Sequence, residues 1–215
     1  MTMTWDPLPP WERRILGVLV EKQKTSKTAD AYPLTLNSLT LGCNQKSNRD
    51  PLMELSDDDV EETLPKLQER GLVAKVTGTR ADRYRHLLYE TWNVNAAEMA
   101  VLAELLLRGP QSIGDLRGRA DRMSSIPGLD ELKAILKPLA ERKLVVFLTD
   151  PDRRGAMLTH GFHTPEELAG AVSHAGAMPV MESAPTRTSA LESRLDTMQA
   201  EIDELKRVVA ELKSR

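Results

Sequence analysis

The sequence predicts a mainly α protein with small β-hairpins, organised as two tandem winged-helix domains plus a C-terminal coiled-coil helix. Each half of the chain has three amphipathic helical patterns followed by two short extended segments, which is the winged-helix order. The ends of the two third helices can be aligned, with LPKLQERGLV at residues 64–73 and LKPLAERKLV at 136–145. Beyond residue 190, apolar residues recur at alternating spacings of four and three, which is a heptad pattern.

The first repeat is predicted at residues 8–92. Its first helix runs from about Pro10 to Lys24, with Trp11 on the apolar face. Thr35 and Ser56 are suitable N-caps for the second and third helices, because their hydroxyl oxygens accept from free amides of the first turn. Gly71 is a natural stop for the third helix.

The wing of the first repeat is predicted from two extended segments, 72–76 and 83–88, around a Thr77-Gly78-Thr79 turn. Strand alternation places Arg83 and Arg85 on one face, and Tyr84 and His86 on the other. This repeat is therefore expected to close with a hairpin that has one basic face.

The second repeat is predicted at residues 93–162. Asn95 with Glu98 forms a capping-box pattern for a helix from about Ala96 to Arg108, and Ser112 caps the next helix. The third helix runs from about 129 to 143, and a second hairpin joins 145–148 to about 157–159. Pro65 and Pro138 lie inside the third helices, where proline should kink or locally break them.

Residues 163–188 are rich in Ala, Gly, Pro and Ser and are predicted to be mainly linker. Residues 189–215 are predicted to form a coiled-coil helix that makes a homodimer, because a lone helix has no partner for its apolar stripe. The alternative is a helix that folds back on its own globular part. The proposed dimerisation residues are the heptad positions Leu191, Leu195, Met198, Ile202, Leu205, Val209 and Leu212.

Composition restricts the possible roles. The chain has 215 residues and a net charge of −3, so any DNA binding must use local basic patches rather than an overall positive charge. Cys43 is the only cysteine and is predicted in the core, so neither a disulfide nor a cysteine zinc cluster is expected. The chain shows no signal-peptide pattern and no apolar membrane span, so we expect a cytoplasmic protein without a membrane partner.

Several motifs resemble those of the bacterial YceH-like family. They are YPLTLNSL at 32–39, CNQKSNRDP at 43–51, YRH at 84–86, LLLRGPQS at 105–112 and DLRGRADRM at 115–123. The resemblance covers about residues 11–161 and implies two winged-helix domains, with no established activity. The loop at 25–30 is longer than the usual family form, and the region after Asp150 departs from the pattern.

The candidate nucleic-acid contacts are cations of the two repeats. In the first repeat they lie on the wing and in the polar loop 44–50; a solvated strand face and a self-satisfying loop are the alternatives. In the second they lie near the second helix and in the wing, where surface ion pairs are the alternative. The candidates are Lys46, Arg49, Arg80, Arg83, Arg85, Arg117, Arg119, Arg122, Arg153 and Arg154.

The third helix of the first repeat opposes a DNA-binding role. Residues 56–70 contain six acids and two bases, and phosphates repel such a surface. This helix is therefore expected to face solvent or a protein.

Two non-enzymatic functions follow from these observations. One is a DNA-binding, transcription-regulator-like dimer, and the other is a scaffold whose winged helices dock protein partners. His160 and His163 lie three apart without further ligands at metal spacing, so no metal site is expected. The sequence contains no recognisable catalytic or cofactor-binding arrangement, so neither an enzyme nor a cofactor is expected.

Overall fold

A computed structural model describes residues 5–78 and 81–177, all of which belong to one compact unit. The predicted coiled coil at 189–215, with its seven heptad residues, and the last part of the predicted linker lie outside the described residues. The described chain is mainly helical, with two small antiparallel sheets of three strands each.

The first repeat has the helices and the hairpin that the sequence predicts. A short helix after the hairpin and a short strand before the second helix are additional. The elements are α1 (Pro10–Thr25), β1 (Leu34–Thr35), α2 (Leu36–Cys43), α3 (Asp57–Glu69), β2 (Val73–Val76), β3 (Arg83–His86) and α4 (Leu88–Trp92).

The second repeat has the same order. Its first helix has the bounds that the capping pattern predicts. The elements are α5 (Ala96–Arg108), β4 (Gln111–Ser112), α6 (Ile113–Ala120), α7 (Leu129–Glu141), β5 (Val145–Phe147), β6 (Met157–His160) and α8 (Pro165–Ala177).

Each predicted hairpin is extended by one further strand. The strand orders are β1-β3-β2 and β4-β6-β5, so in each sheet the last strand of the repeat lies in the middle. The added strands are two residues long and immediately precede the second helix of the repeat. They tie that helix to the sheet, which the sequence pattern did not show.

The caps of α3 explain where this third helix begins and ends. The Ser56 hydroxyl accepts from the Asp59 amide, and the Asp59 carboxylate accepts from the Ser56 amide, which completes a capping box. Gly71 follows the end of α3 with a φ of 66°, as predicted. Both third helices are continuous through Pro65 and Pro138, so the predicted local break does not occur.

The two repeats share one apolar core. α1 and α5 are buried over most of their length and pack against each other, and the buried apolar side chains form one contiguous cluster. A Cβ on Gly17 would lie 2.8 Å from Cγ of Leu107, so the absence of a side chain permits this close approach.

The first part of the predicted linker is helical. Thr164 caps α8 in a reciprocal pair with Glu167, whose carboxylate accepts from the Thr164 amide at 3.1 Å. Glu167 also accepts a hydrogen bond from Arg13 of α1 at 2.6 Å. The Ala- and Gly-rich composition suggested a linker, but the cap and this ion pair hold the segment as a helix.

Candidate interaction surfaces

The exposed face of α3 is strongly acidic. Its apolar residues face the core, so the helix presents its charged residues to solvent. Asp59 caps the helix, and the two hydrogen bonds from Ser56 hold the pKa of its carboxyl below the usual value. Lys66 is the one base among the exposed residues of α3, beside the acids Asp57, Asp58, Glu61, Glu62 and Glu69.

A shallow cleft next to this face exposes an aromatic side chain. Trp11 was predicted on the buried face of α1, but it is 45% exposed, whereas the ten residues that follow it, from Glu12 to Glu21, are buried. Trp11 lines the cleft together with Pro10 and with Thr63 and Lys66 of α3. An apolar anchor therefore lies beside the acidic helix.

The first wing offers fewer free cations than predicted. Tyr84 and His86 are buried, as the strand alternation predicted. Arg83 donates to the backbone carbonyls of Asp30 and Pro33, at 3.0 and 2.8 Å. Arg85 is exposed on the solvent face of β3. Arg80 lies outside the described residues.

The polar loop 44–50 is held by hydrogen bonds within the protein, but its main partners lie outside the loop, at Leu55 and at Glu21 of α1. The Asn44 side chain donates to the Leu55 carbonyl and accepts from the Leu55 amide. Arg49 is buried, and its guanidinium donates to both carboxylate oxygens of Glu21, one of them at 2.5 Å. Arg49 therefore cannot reach a phosphate and is withdrawn as a DNA contact, whereas Lys46 remains exposed.

A charged cluster, formed by Glu21, Arg49, Glu104, Arg108 and Arg122, links the two repeats. Arg122 donates to Glu21 of α1 and to Glu104 of α5, the latter at 3.0 Å, and Nε of Arg108 lies 2.9 Å from Glu104. Burial raises the pKa of Glu21, but the hydrogen bonds and charges of Arg49 and Arg122 outweigh burial and hold it below the usual value. Arg122 is thus committed to joining α1 and α5.

Most other candidates of the second repeat also have local partners. Arg117 donates to the carbonyls of Ile126 and Pro127, and Arg119 donates to the Gln111 side chain at 2.7 Å. Arg153 and Arg154 are exposed in the loop between β5 and β6. Among the described candidates, five are therefore held by partners within the protein: Arg49, Arg83, Arg117, Arg119 and Arg122.

Sequence reasoning missed the acidic half of the charged cluster. Glu21 and Glu104 lie at core-facing positions of otherwise apolar helices, where an uncompensated carboxylate is costly. A glutamate at an apolar position of a helix was the available signal, because a buried acid requires a basic partner elsewhere in the chain.

The rings of His160 and His163, for which no metal site was expected, stack on each other with centroids 4.0 Å apart. Within residues 5–78 and 81–177, no three Asp, Glu, His or Cys side chains gather in a way that suits a metal ion. Over the same residues, no helix combines the length and the apolar character needed to cross a bilayer.

The protein is mainly helical and consists of two repeats with the same order of elements. Buried charges join the repeats, and the first repeat presents an acidic helix face that is a candidate interaction surface. Residues 8–155 match the family described as "Protein of unknown function, DUF480", and the chain belongs to this family. The match confirms the resemblance to YceH-like proteins.

The relatives cover nearly the whole chain. A UPF0502 protein of Rhodopirellula baltica is 41% identical over 203 residues, which are 90% of this chain and 84% of that protein. A UPF0502 protein of Hahella chejuensis is 39% identical over 214 residues, with 94% and 95% of the two chains covered. One from Shewanella pealeana is 38% identical over 209 residues, with 93% and 95% covered.

Proposed function

We propose that this protein is a tandem winged-helix adapter that docks a basic segment of another protein on the exposed face of α3. The carrying observation is the charge of that face, where five exposed acids accompany one lysine. A winged helix that reads DNA directs its third helix into the major groove. Phosphates would repel this helix, whereas lysine and arginine side chains would complement it.

Trp11 supplies the apolar part of the same surface. Partly exposed tryptophans in clefts are common anchors of protein interfaces, because they bury a large apolar area when a partner covers them. The cleft around Trp11 includes Lys66, which belongs to α3, so one partner segment can cover both features. The expected partner therefore combines a basic stretch with an apolar side chain.

The test is affinity capture from bacterial extract with the full-length chain and a pair of matched variants. Glu61→Gln with Glu62→Gln neutralises part of the α3 face, and Trp11→Ala removes the anchor. The control is Asp130→Asn with Glu131→Gln on α7, combined with Leu129→Ala, because Leu129 is a comparably exposed apolar side chain at 50%. We expect specific proteins that the control retains and that the α3 variants lose.

Identical capture by the α3 variants and the control would contradict this role. A retained protein would then be re-measured in purified form, where docking on an acidic face predicts weaker binding at higher salt.

DNA binding is a second candidate, supported by the helix–sheet order that occurs twice and by the exposed Lys46, Arg85 and Arg153. It predicts saturable affinity for mixed-sequence duplex DNA that falls steeply with salt concentration. Arg85→Ala would then make the dependence on salt shallower, because one phosphate contact is lost.

A further inference from the structure

A cleft of about 450 Å³ opens where the two repeats meet α8. Its walls come from the first half of α1, the loop after α2, the end of α5, β6 and α8. This volume lies in the usual range of small-molecule sites. The charged and titratable residues that line it include Arg13, Arg14, Asp50, Arg108, His163 and Glu167.

Arg14 is the unusual member of this lining. It is 1% exposed, and its two terminal nitrogens donate to the backbone carbonyls of Cys43 and Pro51, at 3.0 and 2.5 Å. Among the described residues, its Nε has no hydrogen-bond partner and no carboxylate forms a salt bridge with it, although buried charges are normally paired. Burial, assisted by the nearby charge of Arg49, lowers the pKa of Arg14 to about 10.

The other charges of the cleft largely compensate one another. Arg13 donates to Glu167 at 2.6 Å and to Nδ1 of His163 at 2.8 Å. Nδ1 of His163 also lies 3.3 Å from the Glu167 carboxylate. Arginine has only donors, so the shorter contact with Arg13 assigns Nδ1 as an acceptor and the ring as neutral. Burial and the charge of Arg13 also lower the pKa of His163, in agreement with this assignment.

The interior beside the cleft has an excess of positive charge. Arg49, Arg108 and Arg122 pair with two buried carboxylates, Glu21 and Glu104, whereas Arg14 lies in the cleft wall outside these pairs. Asp50 is an exposed carboxylate at the rim of the cleft and offsets one more charge. Within the described part of the chain, Arg14 therefore remains a buried cation of the cleft wall without a salt bridge, and the carboxylates of Asp50 and Glu21 act on it only from a distance.

We propose that this cleft binds a small anion that carries a carboxylate or phosphate group, with Arg14 as the buried counter-charge and Arg108 as a second cation of the wall. Guanidinium groups match both anions, because their nitrogens form a planar fork of donors. The bound anion would contact both repeats and thereby stabilise their packing. This site does not depend on the docking role of α3.

The experiment is calorimetric titration of the full chain with inorganic phosphate and, separately, with succinate as the carboxylate probe. We expect saturable binding of at least one probe, and the probe that binds identifies the anion class. Arg14→Met should weaken binding by about tenfold or more, since hydrogen bonds to charged groups are strong. Arg85→Ala removes an exposed cation elsewhere and should leave the affinity unchanged.

Arg108→Gln provides a second variant if Arg14→Met fails to fold, because the Arg108 side chain is already 20% exposed. It should weaken binding several-fold while the chain stays folded. The proposal is overturned if neither probe gives saturable heat with the wild type, or if folded Arg14→Met or Arg108→Gln binds as tightly as the wild type.

Discussion

The two repeats share their internal hydrogen bonds but differ in the charge on the exposed face of the third helix. In each, the residue after the last strand donates its amide to the carbonyl that follows the third helix: Leu87 to Leu72 and Gly161 to Leu144, both at 2.8 Å. In each, a buried histidine ends that strand and accepts a backbone amide two residues on. The exposed face of α3 is acidic, whereas that of α7 mixes acids with Lys133 and Lys137.

This difference shows which features the architecture requires and which it leaves free. The caps of the second helices, the sheet connection and the buried histidine recur because each satisfies backbone groups that the fold buries. The helix surface that a partner would contact does not recur. One scaffold therefore presents two different surfaces, and we place the docking role on α3 alone.

The largest expected effect comes from breaking the charged cluster that makes the two repeats one unit. Glu21→Gln leaves the buried Arg49 without its carboxylate, which should lower the free energy of unfolding by about 3–5 kcal/mol. Urea unfolding measures the change. The exposed pair Lys75–Asp82 is the matched control, and Asp82→Asn should cost less than about 1 kcal/mol. Equal small effects at both sites would show that the cluster does not hold the repeats together.

The next effect tests the buried histidine shared by both repeats. Burial, together with Lys24 and Arg85, lowers the pKa of His86 to about 4. The unfolded chain binds this proton near pH 6.5, so stability should decline as the pH falls from about 6.5 towards 4. Between pH 7.5 and 5 the contribution of His86 is about 2 kcal/mol.

The check is chemical unfolding of wild type and His86→Asn at both pH values. The variant should lose about 2 kcal/mol less than the wild type on acidification. His160 remains in both proteins, and burial holds its pKa well below the usual value, so some acid sensitivity should persist. An equal loss in wild type and variant would mean that His86 is protonated in the folded state.

The smallest expected effect concerns the residue that follows the third helix, which is a glycine in the first repeat and a lysine in the second. Gly71 and Lys143 both follow the third helix in the left-handed region, with φ of 66° and 59°. A residue with Cβ is strained there, so Lys143→Gly should stabilise the protein by about 1 kcal/mol. Lys143→Ala is the control and should give no such gain. A shift of the urea midpoint measures both, and destabilisation by glycine would contradict the assigned strain.

Local signals predicted much of the fold. Asn95 with Glu98 set the start of α5 at Ala96, because capping depends on neighbours in the chain. The strands β1 and β4 were missed because two residues are too short for an alternating pattern. α8 was missed because its Ala- and Gly-rich composition is typical of linkers, and its ion pair with Arg13 is a tertiary contact.

The candidate surfaces were less predictable than the fold. The acidic face of α3 followed directly from helical spacing. The ion pairs of Arg49 and Arg122 could not be predicted from local spacing, because their partner Glu21 lies 28 and 101 residues away. Paired and unpaired arginines look the same in a sequence, so a list of basic residues overstates the surface available to phosphates.

The most direct test of the proposed role is titration of the full-length wild type with mixed-sequence duplex DNA at about 50 and 200 mM salt, where phosphate contacts are strongly salt dependent. An acidic docking helix predicts no saturable binding even at the lower concentration. Saturable binding that weakens steeply with salt, and less steeply in Arg85→Ala, would contradict the account and assign the chain to DNA.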